Sequence, residues 1–149
     1  MSLQQQVMEE MKTAMKAKDT VALESLRAIK SALLLAQTEK GSGAGISETD
    51  EIKLVQKLVK QRKDSAAIFK EQGREDLAAP ELAQAAVIEK FLPAQLGEEE
   101  IEKVVVKTIS ETGAEGMKDM GKVMGIVSKK LAGQADGKTI SGIVKSKLS

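Results

Sequence analysis

The chain contains no cysteine, histidine, tryptophan or tyrosine. Without cysteine there is no disulfide, no thiolate nucleophile and no thiolate metal site, which fits a reducing cytosol. Without histidine the chain lacks the usual zinc ligand and the side chain that titrates near neutral pH. The only aromatic side chains are Phe69 and Phe91. Base stacking, which drives most sequence-specific recognition of single-stranded RNA, is therefore nearly excluded. Carboxylates and lysines are all that remain for acid–base chemistry. No metal and no cofactor is expected, and binding is a better expectation than catalysis.

Long hydrophobic runs are missing too. The longest, from Ala32 to Ala36, falls far short of the roughly 20 residues needed to cross a bilayer. The amino terminus has Gln and Glu where a secretory peptide would have its apolar stretch. The expectation is a cytoplasmic protein without membrane association.

At 149 residues the chain is one ordinary domain or two small ones. Its 23 basic and 22 acidic residues give a net charge of +1, but they are unevenly spread. Residues 114–149 hold Lys118, Lys122, Lys129, Lys130, Lys138, Lys145 and Lys147 against Glu115, Asp119 and Asp136, a local +4.

Helical periodicity runs throughout, and no useful stretch alternates with period two, so the expected fold is all-α. Ser2 is placed to cap a first helix with Leu3, Val7, Met8, Met11 and Met15 as its core stripe. Asp19 caps a second, with Leu23, Leu26, Leu33 and Leu34 on its apolar face. A Gly-rich stretch at 41–45 reads as a flexible loop. Ser47 and Asp50 open a long helix running to about Gln72, which Gly73 stops. A fourth helix is expected over about 77–92, with Pro80 tolerable only in its first turn. Leu82, Ile88, Phe91 and Leu92 would supply its buried side. Pro93 and Gly97 mark a boundary between a helical bundle, 1–93, and a small three-helix domain, 94–149. The latter's helices are expected at about 98–112, 118–132 and 137–148, the last capped by Asp136.

Gly116 to Lys122 reads G-x-x-x-x-G-K, the opening of a phosphate-binding loop, but Val123 follows where a hydroxyl should coordinate magnesium. A second near-match, Gly133 to Thr139, is one spacer short. No strand precedes either, so both are coincidences of a Gly- and Lys-rich segment. The same segment has another use. Met120, Val123, Met124, Val127 and Leu131 cover one side of a helix, and Gly121, Gly125 and Ser128 line the other beside Lys118, Lys122 and Lys129. A face with little bulk and flanking cations lets a polyanion backbone approach closely. The competing reading is that the glycines permit tight helix packing and the lysines are merely solvated.

Only three of the basic residues are arginine: Arg27, Arg62 and Arg74. Arg27 shares a helical face with Leu23 and Leu34, and Arg62 lies between Val55, Leu58 and Phe69. A planar guanidinium on an apolar face serves either an ion pair, with Asp64, Asp76 or Glu24 as partners, or a bound anion. Lys53, Lys57 and Lys60 form a row read as a solvated face, with a second basic strip as the alternative.

Taken in order, Ser25-Leu26-Arg27 through Lys30-Ser31-Ala32, Gln61-Arg62-Lys63-Asp64-Ser65, Gly73-Arg74-Glu75-Asp76-Leu77 and Phe91-Leu92-Pro93-Ala94-Gln95-Leu96 resemble the GatB/YqeY family. So do Lys118-Asp119-Met120-Gly121-Lys122-Val123-Met124-Gly125 and Ala135-Asp136-Gly137-Lys138. The resemblance, to the stand-alone YqeY-like kind, covers essentially the whole chain. It implies a two-part all-α protein whose carboxy-terminal domain is similar to the tRNA-contacting tail of the B subunit of the glutamine-dependent aspartyl/glutamyl-tRNA amidotransferase. It also carries the family's label, carbon–nitrogen ligase activity with glutamine as amido-N-donor. This chain has neither a glutaminase nucleophile nor a nucleotide site to support that label. The family more often has Arg where Gln134 stands, which weakens any phosphate contact assigned to that loop.

The expected function is therefore a non-catalytic accessory of tRNA metabolism, with tRNA or a tRNA-metabolism protein as partner. Lys118, Lys122, Lys129 and Lys138, with Gly121 and Gly125, would meet the phosphate backbone. The alternative is a helical protein–protein adaptor using the Met-rich first helix or the Arg27/Arg62 region.

Overall fold

The computed structural model describes residues 2–39 and 45–149. The Gly-rich stretch at 41–44 lies outside the described residues. Within them the fold is all-α, with no strand. Seven α-helices form: α1 (Leu3–Ala17), α2 (Thr20–Glu39), α3 (Glu48–Glu71), α4 (Glu75–Glu89), α5 (Glu98–Thr112), α6 (Met120–Lys130) and α7 (Gly137–Leu148). A single 3-10 turn, Met117–Asp119, leads into α6. The chain divides into two compact units, Met1–Leu92 and Pro93–Ser149.

Local chemistry sets the helix ends. Ser2 Oγ accepts from the Gln5 N–H while Gln5 Oε1 accepts from the Ser2 N–H, a reciprocal cap on α1. Asp19 accepts from the Ala22 N–H at 3.1 Å, and Ser47 from that of Asp50 at 3.1 Å. Such caps satisfy donors that the first helical turn leaves unpaired, each contributing about 1 kcal/mol. Gly73, at φ +72°, closes α3: its N–H donates to the Lys70 carbonyl, and that of Arg74 reaches back to Phe69. Glycine adopts this left-handed conformation without a Cβ penalty.

The amino-terminal unit is built on the α3–α4 hairpin, with α2 packed across it and α1 laid on α2. Val7, Leu26, Ile29, Leu33, Val55, Val59 and Ile88 form its core. Ile29 is fully buried, and burying a side chain of that size contributes about 1.5–3 kcal/mol. Periodicity placed several apolar residues wrongly. Met8, Met15 and Leu34 are exposed, and Leu82 sits at the edge of exposure. On α1 the buried stripe is Leu3, Val7 and Ala14, with Met11 half-buried against the core, so the small Ala14 takes the place expected of Met8 and Met15. Ala78 and Ala85 do the same for α4.

Pro80 requires another correction. Helix α4 starts at Glu75, so Pro80 occupies its second turn instead of its first. Arg74 and Glu75 extend the helix backward because Arg74 accepts, through its carbonyl, the N–H groups of Leu77 and Ala78. Pro80 is exposed, so its ring projects from the outer side of the helix.

In the carboxy-terminal unit α5, α6 and α7 pack mutually. Ile101, Val105, Val123, Val127, Leu131, Ile140, Val144 and Leu148 interlock as its core. Asp136 accepts from the Thr139 N–H at 2.7 Å to cap α7. The segment after Pro93 pins the α6–α7 loop: Gln95 Nε2 donates to the Gly133 carbonyl at 2.6 Å, and the Leu96 N–H to the Gln134 carbonyl at 2.9 Å. Gly133, buried and at φ +77°, turns the chain there.

Candidate nucleic-acid interface

Helix α6 buries Val123 and Val127 against the unit's core, so its opposite side must face solvent. Gly121, Lys122, Gly125, Ser128 and Lys129 are all exposed there. A Cβ built on Gly121 or Gly125 would meet no atom within 4 Å. Tight helix packing is therefore not what these glycines serve. They leave bare backbone on the outer wall of α6 beside Lys122 and Lys129, which stand about 10.5 Å apart along the axis, seven residues at 1.5 Å each.

Lys118 precedes this wall on a braced turn. Asp119 Oδ2 accepts from the Glu115 N–H at 3.0 Å, and the Asp119 N–H donates to the Gly116 carbonyl at 3.0 Å. Gly116 is extended, at φ −178°, and Gly121 already lies inside α6. The G-x-x-x-x-G-K tract therefore crosses an extended residue, a 3-10 turn and a helix, and encloses no phosphate cradle.

Helix α7 repeats the pattern of α6. Lys138 and Lys145 stand seven residues apart on nearly the same face, with the exposed Gly142 between them along the axis and about 40° from Lys138. A Cβ at Gly142 would also meet open space. Gly142 and Lys145 were not among the expected site residues. The signal was present as a shared motif, a lysine pair seven apart bracketing one glycine, in both helices.

Electrostatics sharpen the division within this unit. Helix α5 carries Glu98, Glu99, Glu100, Glu102 and Glu111 against Lys103 and Lys107. Two lysines of the basic segment are drawn to it: Lys130 pairs with Glu111 at 3.3 Å, and Lys147 with Glu102. Lys118, Lys122, Lys129 and Lys138 are exposed and make no ion pair among the described residues. Gln134 is half-buried, and its carbonyl holds Leu96.

The arginines lie in the other unit and do not gather. Arg27 is exposed, which corrects the expectation of an apolar face, because Leu34 on that face is itself exposed. Arg62 is half-buried; Nη1 donates to the Leu58 carbonyl at 3.1 Å and Nε to Gln84 Oε1 at 3.1 Å. Gln84 in turn donates to Glu24 at 3.2 Å, so Arg62 reaches Glu24 only through an amide that links α3, α4 and α2. Asp64 pairs with Lys60 instead. Arg74 forks onto Asp76, Nε to Oδ1 at 3.0 Å and Nη2 to Oδ2 at 2.9 Å. That hydrogen-bonded pairing lowers the Asp76 carboxyl below its ordinary value. Lys53 and Lys57 are exposed. Among the described residues no group of carboxylates could hold a metal ion, and no helix is long and apolar enough to cross a membrane.

The profile of the Yqey-like protein family matches residues 4–148. The chain belongs to the YqeY-like family. It is similar to "Altered inheritance of mitochondria protein 41, mitochondrial" of Pyrenophora tritici-repentis, 33% identical over 129 residues, covering 85% of this chain and 69% of that protein. The protein of the same name in Clavispora lusitaniae is 35% identical over 98 residues, 64% of this chain and 56% of its own length. A third relative is the E-type polypeptide of the glutamyl-tRNA(Gln) amidotransferase of Thermococcus gammatolerans. It is 33% identical over 103 residues, 66% of this chain but only 16% of that much longer polypeptide.

Proposed function

We propose that this YqeY-like protein is a non-catalytic accessory of tRNA metabolism that holds RNA by its sugar–phosphate backbone through the carboxy-terminal unit. One observation carries the reading: Lys118, Lys122, Lys129 and Lys138 are exposed and make no ion pair among the described residues, beside helical walls kept bare by Gly121, Gly125 and Gly142. Backbone binding needs cations and close approach, and carries no demand for aromatic stacking. The carboxy-terminal unit has no aromatic side chain at all. Similarity to an amidotransferase component named for glutamyl-tRNA(Gln) supports tRNA as the RNA class. A cytoplasmic setting belongs to the same reading and is supported by the absence of cysteine; the fungal relatives are named mitochondrial.

The test is fluorescence anisotropy of labelled tRNA across a salt series. Binding should weaken steeply with salt, by a slope of about 0.7–0.9 in log K per log salt for each phosphate neutralised. Lys122→Glu should weaken binding further and reduce the slope by about one such step. Absence of binding at low salt, or indifference to Lys122→Glu, refutes the reading. Release of ammonia from glutamine by the chain alone would overturn its non-catalytic part.

A further inference from the structure

The amino-terminal unit carries apolar surface that neither its core nor the proposed RNA face uses. Met8 is 44% exposed, Met15 60% and Leu34 46%. Helices α1 and α2 fold back on each other about the left-handed Lys18. Gln37 Nε2 donates to Gln4 Oε1 at 3.4 Å, which sets both the register of the pair and the side on which they meet. At 100° per residue, Met8 and Met15 lie within about 40° of Gln4 on α1, and Leu34 lies about 60° from Gln37 on α2. The register then sets Met8 level with Leu33 and Leu34, and Met15 level with the turn from Leu23 to Arg27. The three exposed side chains thus line one seam, over the half-buried Met11 and Leu23. Single exposed apolar residues are ordinary, whereas a contiguous row marks a contact surface.

Cations border this seam. Lys12 lies about 40° from Met8 on α1; on α2, Lys30 and Arg27 lie about 20° and 80° from Gln37. Lys12 and Arg27 are exposed, Lys30 is half-buried, and none makes an ion pair among the described residues. The two glutamates of α1, Glu9 and Glu10, stand about 100° or more round the helix from Met8.

We propose that the α1–α2 seam docks an acidic amphipathic helix of a partner protein. Methionine side chains are flexible and adapt to a partner's apolar ridge, the mode by which grooves accept helices. Carboxylates flanking that ridge meet Lys12, Arg27 and Lys30. An anionic membrane offers the same charge, but helices lying on membranes insert Trp and Phe as well as Leu, and this seam presents Leu34 without any aromatic. RNA offers no apolar face to the methionines.

The test uses the full chain and a fluorescein-labelled amphipathic peptide with a leucine face and glutamate flanks. Its counterpart with lysine flanks and phosphatidylserine-containing vesicles are the comparisons. The acidic peptide should bind and gain helicity, with the lysine peptide at least about tenfold weaker. Met8→Glu with Met15→Glu should weaken binding about tenfold or more, and Arg27→Glu should narrow the preference between the two peptides. Because these side chains are exposed, the circular dichroism of the variants should match the parent, and their tRNA binding should be unchanged. Equal binding of both peptides, no binding, or vesicle co-sedimentation lost in the same variants overturns the proposal.

Discussion

Replacing Gly125 with alanine separates the two uses a helical glycine can have. Glycine in a helix interior costs about 0.5–1 kcal/mol relative to alanine, through backbone entropy. At Gly125 the helical backbone already suits an L-residue and a Cβ meets nothing within 4 Å, so no steric term opposes that gain. Gly125→Ala should therefore stabilise the carboxy-terminal unit by about 0.5–1 kcal/mol. Gly121, the second residue of α6, should contribute less, since the first turn is less committed to helix. For a unit of this size each kcal/mol shifts the melting midpoint by about 4–8 °C. Calorimetry or circular dichroism of Gly121→Ala/Gly125→Ala should thus show a rise of several degrees. Anisotropy with tRNA should show weaker binding, because two methyl groups push the phosphate backbone off the helix wall. A fall in stability would mean that these glycines serve packing. A rise in stability with unchanged tRNA affinity would refute the argument from close approach.

Other perturbations test the remaining steps. Pro80→Ala should stabilise the amino-terminal unit by about 1–3 kcal/mol, because alanine restores an N–H donor for the Asp76 carbonyl one turn back; chemical denaturation measures it, and a loss of stability would contradict the account of α4. Asp136→Ala removes the α7 cap and should cost about 1 kcal/mol without weakening tRNA binding, since it deletes a negative charge two residues from Lys138. The depressed Asp76 carboxyl makes its contribution at neutral pH and loses it only as pH falls through the folded-state value, below the usual carboxylate range. An NMR titration of Asp76 should show that low midpoint and its return toward normal in Arg74→Ala; an unmoved midpoint would exclude the fork as its cause.

Elements with strong local signals were readable from the chain itself. The caps at Ser2, Asp19, Ser47 and Asp136 and the stop at Gly73 act through hydrogen bonds or backbone conformations within a few residues. The helices opening at Glu98 and Gly137 begin where those local signals put them. Periodicity was less informative, because it tells which residues share a face and not which face meets a neighbour. Ala14 is buried and Met8 and Met15 are exposed because α1 turns its Leu3–Val7–Ala14 face to the core, a choice among neighbouring apolar faces that its neighbours make. For Arg62 the sequence left open an ion pair with Asp64, Asp76 or Glu24 or a bound anion; its side-chain partner is Gln84, twenty-two residues away on α4, and no local rule connects the two.

The amino-acid sequence alone determined that this is an all-α chain with its cations concentrated after residue 114 and without imidazole, thiol or stacking side chains in that region. Those properties depend on composition and on interactions spanning at most a turn or two. Only the tertiary structure decided that Gly121, Gly125 and Gly142 face open space, that Lys130 and Lys147 are taken up by α5 while Lys122 and Lys129 make no ion pair among the described residues, and that Met8, Met15 and Leu34 are exposed. Exposure and pairing depend on which helix lies alongside, and that is settled by contacts between residues far apart in the chain.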